Sequence, residues 1–383
     1  MPPQSKRLRV FDPRRPLCNS WDSRNSARDS ADHGKRAVDH LNNRWQPRGI
    51  TTLGFLLILF SQSVATLALQ SGSNATTNAG MLNDGQLHVV LCGTGSPLPD
   101  PTRAQACTAI IAGGEFVLVD TGSGSWRKVA VNNLPAQNLS AILLTHFHSD
   151  HIGDLGEALM QSWAAGRNHK LDVYGPPGVE QVVAGFEQAY SLDTGYRVQH
   201  HGEEWMPRAA AGAIAQPVRL KSNDTTALVF ERNGLKVTAF TVEHDPARPA
   251  YGYRFEYRGR VVVVSGDTSK SDNLARHAAG ADLLIHDVIA KNLLQMAASN
   301  FDQAGNRRRA KMSRDIMTYH ASPLEVAAIA ASAKVETLVF THMVPPPNSP
   351  QIEQAFTRGV SDIFKGKVVL GTDGVRFDLQ PRN

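Results

Sequence analysis

Cysteine is nearly absent from this chain. Only Cys18, Cys92 and Cys107 occur among 383 residues, which excludes a disulfide framework and any Cys-rich zinc motif. Cys92 and Cys107 fall at the end of one strand-like run and the start of the next. They read as free buried thiols, with pairing in an oxidising compartment as the alternative. Also missing is an apolar run of the roughly 20 residues that a membrane-spanning helix needs; the strongest candidate, residues 53–60, falls well short. No internal repeat is legible. Positive charge is missing from most of the chain as well. The formal net charge is +5, but residues 1–50 hold eleven Lys or Arg against five Asp, which leaves 29 basic and 30 acidic residues in 51–383. A near-neutral body lacks the broad positive field that phosphate-backbone binding draws on, so nucleic acid is set aside as a partner.

What is present begins with a leader. Residues 1–50 are rich in Arg, Asp, Ser, Asn and Pro without a sustained apolar period, and read as a disordered basic segment. Residues 51–70 read as a secretory signal: a basic flank at Arg44 and Arg48, a short apolar core, and small residues at Ser63 and Ala65, or at Thr66 and Ala68, for a leader peptidase. That pattern implies a periplasmic or secreted protein with no stable membrane span once the leader is removed, membrane-tethered if it is not. Residues 71–85 read as a Ser/Asn/Gly/Thr-rich linker, and residues 86–383 as one large domain. Strand-like runs recur through this body from 87–91 to 368–370, with helical patterns between them at 153–165, 179–189 and 323–333. Strands interleaved with helices imply an α/β fold whose helices cover the outer faces of packed sheets.

One segment carries most of the chemistry. Thr145-His146-Phe147-His148-Ser149-Asp150-His151 places four metal-grade side chains in six residues, behind an apolar β-branched run at 141–145 that reads as a buried strand. The ligands would then sit on the loop at the strand's C-terminal end, where open α/β sheets put their chemistry. Imidazoles two apart, and a carboxylate with a third imidazole beside it, can face two ions at once. Other strand-like runs end on Asp or His: Asp120 in Val119-Asp120-Thr121-Gly122, His244 in Thr241-Val242-Glu243-His244, Asp267 in Ser265-Gly266-Asp267-Thr268, and His342 in Thr341-His342-Met343.

Taken in order, these motifs resemble those of the metallo-β-lactamase superfamily, whose signature is His-x-His-x-Asp-His, and the resemblance spans about residues 87–377. It implies an αββα sandwich of two mixed β-sheets flanked by helices, with a dinuclear metal site. His146, His148 and His244 would hold one ion, Asp150, His151 and His342 the other, and Asp267 would bridge them, while Asp120 supports the metal loop from behind. Imidazole and carboxylate ligands suit two Zn²⁺ ions, with Mn²⁺ or Fe²⁺ also compatible. Such a pair, roughly 3.5 to 4 Å apart, brings the pKa of a shared water from about 15.7 to near 7, so a hydroxide is available without a reactive Ser or Cys.

Several stretches narrow the resemblance to the ribonuclease Z and arylsulfatase-like branch: Gly93-Thr94-Gly95-Ser96-Pro97 with Arg103, Tyr251-Gly252-Tyr253-Arg254 after His244, Ile285-His286-Asp287-Val288, and Tyr319-His320-Ala321-Ser322. The branch implies Asp150 as both ligand and proton acceptor, His320 as proton donor to the leaving oxygen, and His286 with Asp287 as supports of the metal shell. His200 and His201 read either as pocket lining or as solvated loop residues. Residues 288–318 look like an insertion of helical character with a basic run at 307–311, serving as a flap, an oligomer contact or a plain surface excursion. In ribonuclease Z a long arm that grips transfer RNA separates the Gly-Tyr-Arg and Ser-Gly-Asp-Thr runs; here residues 255–264 leave room only for a hairpin. The expectation is therefore an exported hydrolase of a small-molecule ester, arylsulfatase-like or phosphodiesterase-like, with a homodimer compatible. The alternative is a ribonuclease Z-type 3′ endonuclease of transfer RNA. A lactonase, a β-lactamase and a non-catalytic metal-binding module stand behind it.

Overall fold

Alternation along the strands sorts the apolar side chains between two faces. In the computed structural model, which describes residues 78–221 and 225–382, β1 (Leu87–Gly93) shows this directly. Leu87, Val89 and Leu91 enter a core shared by both sheets, whereas Val90 and Cys92 enter the layer beneath the first set of helices. The strands that follow are β2 (Cys107–Ala112), β3 (Glu115–Val119), β4 (Leu139–Leu143), β5 (Leu171–Gly175), β6 (Ala213–Pro217), β7 (Thr226–Arg232), β8 (Leu235–Val242), β9 (Ala250–Tyr257), β10 (Arg260–Val264), β11 (Leu283–Ile289), β12 (Thr337–Val344), β13 (Lys367–Leu370) and β14 (Arg376–Leu379). They form two sheets of seven, ordered β14-β1-β2-β3-β4-β5-β6 and β13-β12-β11-β10-β9-β8-β7.

Each sheet is antiparallel in one half and parallel in the other. The run β3 to β6 is parallel, as is β10 to β13, and parallel crossovers put helices on the outer faces. Helices α1 (Ser125–Val131), α2 (Ser149–Ile152), α3 (Leu155–Ala164) and α4 (Val179–His201) accompany the first sheet. The remainder are α5 (Asp272–His277), α6 (Lys291–Gln303), α7 (Arg307–Asp315), α8 (Pro323–Ser332), α9 (Pro350–Thr357) and α10 (Val360–Ile363). Leu274, Val326, Phe356 and Val360 from this set share a core with Phe240, Val263 and Leu338 of the second sheet. This is the αββα sandwich that the resemblance implied.

Some local expectations need revision. The helix read over 153–165 spans Leu155–Ala164, and a short helix at Ser149–Ile152 precedes it; Asp154 lies between the two, and its carboxylate accepts the Trp126 amide at 3.0 Å. Within the 71–85 stretch, Met81 and Leu82 are buried in the core, so the compact body begins before residue 86. β6 and β14 are edge strands with largely half-exposed side chains, and an edge lacks the apolar alternation that marks a strand in sequence. Cys92 and Cys107 are joined in a disulfide with Cα atoms 5.0 Å apart, which corrects the free-thiol expectation: antiparallel pairing sets Cys107 opposite Gly93 and so brings the two sulfurs together. The stretch 255–264 is the expected hairpin, closing at Tyr257 opposite Arg260. The leader and signal-like segments, with most of the linker, lie outside the described residues. Among the described residues no helix is long and apolar enough to cross a membrane.

Close approach of loops makes one glycine decisive. A Cβ on Gly122 would stand 2.1 Å from the Asp150 carbonyl oxygen and 2.7 Å from the Ala106 amide nitrogen, both backbone atoms that cannot step aside. Gly122→Ala is expected to lower stability by about 3 kcal/mol, the upper end for overpacking, measured as a drop in the denaturation midpoint; an unchanged midpoint would show that the loops tolerate separation.

Candidate metal centre

Loops from both sheets meet at one end of the sandwich. Asp120 follows β3, the 145–151 segment follows β4, His244 follows β8 and Asp267 follows β10. His342 differs from its sequence assignment, since β12 continues through Val344 and includes it. The seven residues expected as ligands fall into two groups whose potential ligand atoms lie within 4.8 Å of one another: His146, His148, His244 and Asp267, and Asp150, His151 and His342. One atom joins the groups. Oδ2 of Asp267 lies 3.3 Å from His151 Nε2, 3.4 Å from His342 Nε2, 3.9 Å from His244 Nε2 and 4.0 Å from His146 Nε2. Of the seven, only His148 is exposed.

Hydrogen bonds behind the site settle which ring nitrogens carry protons. The Tyr319 carbonyl oxygen can only accept, so His244 donates to it from Nδ1, at 3.1 Å. Asp120 Oδ2 accepts from His151 Nδ1 at 2.8 Å and from the Thr145 hydroxyl at 2.9 Å. Thr145 has thereby spent its only proton, and its oxygen accepts from His146 Nδ1 at 3.0 Å. In all three rings the Nε2 lone pair is left facing the centre. His151 Nε2 has no hydrogen-bond partner although it is buried, and the Nε2 atoms of His146 and His244 both face His148 Nδ1, at 2.9 and 3.3 Å. Converging bare lone pairs around a buried carboxylate are unfavourable unless cations sit among them. The donor set fits divalent metal ions.

Electrostatics points the same way. Burial drives His146 well below the ordinary imidazole range, and burial likewise lowers His148 and His244; neutral imidazole is the ligand form. Burial also disfavours charge on His151, but Asp267 and Asp120 outweigh it and hold that ring well above its usual value. Burial would raise Asp267, yet His342 and His151 hold it well below the carboxylate range. The centre keeps its carboxylate ionised and demands positive charge beside it.

A further buried pair adjoins the ions' place. Asp287 Oδ2 accepts from His320 Nδ1 at 2.7 Å, and Asp287 Oδ1 accepts the Thr268 amide at 3.2 Å. His320 also reaches a group with Asp267 and His342. His286 is buried and bonds through Nδ1 to the Asp287 carbonyl at 2.6 Å, so of the two expected supports it is Asp287 whose carboxylate faces the site. The strand end at His342 is pinned from the opening loop: its amide donates to the Thr94 carbonyl at 3.0 Å, while Asp373 accepts from the Thr94 amide and hydroxyl at 2.9 and 2.7 Å. Arg103 donates to the Thr94 hydroxyl at 2.6 Å. Thr145, Tyr319 and Asp373 were missed in the sequence. Thr145 stood in the quoted motif, but the roles of Tyr319 and Asp373 come from contacts across 75 and 279 residues. His200 and His201 are exposed on the last turn of α4 and do not line the cavity at the centre, which is about 790 Å³ and includes His148, Asp150, Asp267, His320 and His342 in its wall.

A family model for the beta-lactamase superfamily domain matches residues 116–343. A ribonuclease Z from Mycobacterium bovis (strain BCG / Pasteur 1173P2) is 38% identical over 300 residues, covering 77% of this chain and 99% of that protein. A ribonuclease Z from Mycobacterium marinum is 38% identical over 299 residues, 77% of this chain and 100% of that protein. Human tRNase Z, short form, superposes with a TM-score of 0.55 at 22% identity, covering 76% of this chain and 99% of that one, a likeness of fold. The protein is a metal-dependent hydrolase acting on ester bonds. The chain belongs to the metallo-β-lactamase superfamily, in its ribonuclease Z branch.

These relatives correct two expectations. An exported hydrolase of small sulfate or phosphate esters, with a small-molecule substrate and nucleic acid set aside, conflicts with near-full-length identity to ribonucleases. The physical error lay in averaging charge: a body of net −1 still carries six Lys or Arg against two Asp in residues 288–318.

The carboxylate behind His151 gives a test. Asp120→Asn removes the charge that fixes the ring, and metal affinity is expected to weaken about 10- to 100-fold, the usual effect of losing an outer partner, with the circular dichroism spectrum retained. Titration with a competing chelator measures it, and wild-type affinity in the variant would refute the orienting role.

Proposed function

We propose that this protein is a ribonuclease Z-type endonuclease that cleaves a phosphodiester bond at the 3′ side of precursor transfer RNA, with two Zn²⁺ ions as its metals. The observation that carries the proposal is 38% identity to proteins named ribonuclease Z along 99 to 100% of their length, joined to seven His and Asp side chains grouped closely enough to hold metal ions. His146, His148 and His244 would hold one ion, and Asp150, His151 and His342 the other, with Asp267 between them. Two divalent ions there supply Lewis acidity and a nucleophilic water at neutral pH; nitrogen and oxygen donors without thiolate suit zinc.

The chain's own residues divide the proton work. Asp150, held below the ordinary carboxylate range by hydrogen bonding and charge from His342 and His151 against the effect of burial, is ionised and placed to accept the proton of the attacking water. His320, oriented by Asp287 through Nδ1, presents Nε2 to the cavity and donates a proton to the oxygen that leaves phosphorus. Asp287 stays ionised as its partner: burial would raise it, and His286 and His320 hold it down.

Two experiments separate binding from proton transfer. Zinc-loaded protein is expected to cut a precursor transfer RNA at its 3′ trailer and to lose that activity in chelator; an intact precursor under conditions where both metals are bound would refute the proposal. His320→Ala should keep both metals by elemental analysis while kcat falls about 100-fold or more. Loss of metal together with rate would instead place His320 among the ligands.

A further inference from the structure

One insert of the near-neutral body carries a local excess of positive charge. Residues 288–318 contain six Lys or Arg and two Asp, while residues 51–383 together sum to −1. Half of those cations are neutralised locally: Lys291 pairs with Glu325 at 2.9 Å, Lys311 with Asp315 at 2.7 Å, and Arg314 with Asp302. Arg307, Arg308 and Arg309 are exposed, and among the described residues they form no ion pair. These three fill the first turn of α7, which holds no acidic residue. The positive end of a helix dipole repels cations, so helix stability gives no account of three arginines in that place. An anionic partner does.

Position identifies the partner. The Arg309 guanidinium lies over the Phe301 ring, 5.6 Å from its centroid. Arg309, Phe301 and Met312 line the same cavity as His148, Asp150 and His320. A chain of phosphates entering that cavity would therefore pass the arginines of α7.

We propose that the α6–α7 insert is the surface that grips the RNA, with Arg307 and Arg308 holding backbone phosphates beside the scissile one. The inference rests on the ribonuclease reading above. Phosphate contacts of this kind are sequence-independent and release counterions, so each adds about 0.7 to 0.9 to the slope of log affinity against log salt.

The test is the double variant Arg307→Glu/Arg308→Glu, which alters no metal ligand and no residue of the cavity wall. Cleavage of precursor transfer RNA and of bis(p-nitrophenyl) phosphate, a small diester without the flanking phosphates that Arg307 and Arg308 would hold, is followed over a salt series. For the precursor, KM should rise about tenfold near 0.1 M salt and the salt slope should fall by about 1 to 2, with kcat and small-diester turnover within about twofold of wild type. Arg307→Lys/Arg308→Lys, which keeps the charge, should restore KM. Unchanged KM and slope for the precursor in the charge-reversed protein would overturn the insert's role while leaving the ribonuclease reading intact. Wild-type protein that hydrolyses the small diester but leaves the precursor whole would overturn the ribonuclease reading, and this inference with it.

Discussion

A single buried carboxylate oxygen organises the functional end of this molecule. Asp267 Oδ2 stands within 4.0 Å of four imidazole nitrogens drawn from three different segments. A carboxylate with so little water around it is costly unless positive charge is supplied. The surrounding rings cannot all supply it as protons, because burial holds His146 and His244 below the ordinary imidazole range. Cations complete the arrangement, and the outer hydrogen bonds fix the rings in readiness for them.

The fold exists, from this viewpoint, to bring strand ends together. Parallel pairing points β3 with β4 in one sheet and β10 with β11 in the other, and the contacts of Asp267 with His146 and His151 show that the loops following β4 and β10 meet. Crowding there is visible in the backbone. Asp120 and His342 adopt φ of 60° and 49°, a left-handed conformation that costs a non-glycine residue about 1 kcal/mol or more. Gly266, at φ +61°, precedes Asp267, and a Cβ on it would meet the Tyr251 carbonyl oxygen at 2.8 Å and Thr145 Cβ at 2.9 Å. Strained backbone is thus part of how the side chains converge.

Much of this was legible in the residues. The ligand-bearing loops follow apolar β-branched runs, and the resemblance to the metallo-β-lactamase superfamily, carried by the 145–151 motif, located Asp120, His244, Asp267 and His342 without knowledge of their spacing in space. The supporting contacts were not legible. Asp287 meets His320 across 33 residues and Asp373 meets Thr94 across 279, and nothing periodic marks either. The Cys92–Cys107 bond depends on strand register. Net charge misled because it is a sum: a neutral body with a basic insert and a neutral body with scattered charges have the same total, yet only the first offers a local phosphate-binding surface. The short hairpin at 257–260 was rightly read as geometry but wrongly taken to exclude RNA.

The central claim is that two ions share Asp267. Anomalous X-ray scattering at the zinc edge, from crystals of the zinc-loaded protein, addresses it directly. The account predicts two peaks about 3.5 to 4 Å apart, one against His146, His148 and His244, the other against Asp150, His151 and His342, with the Asp267 carboxylate touching both. A single peak, or two peaks that do not share Asp267, would contradict it.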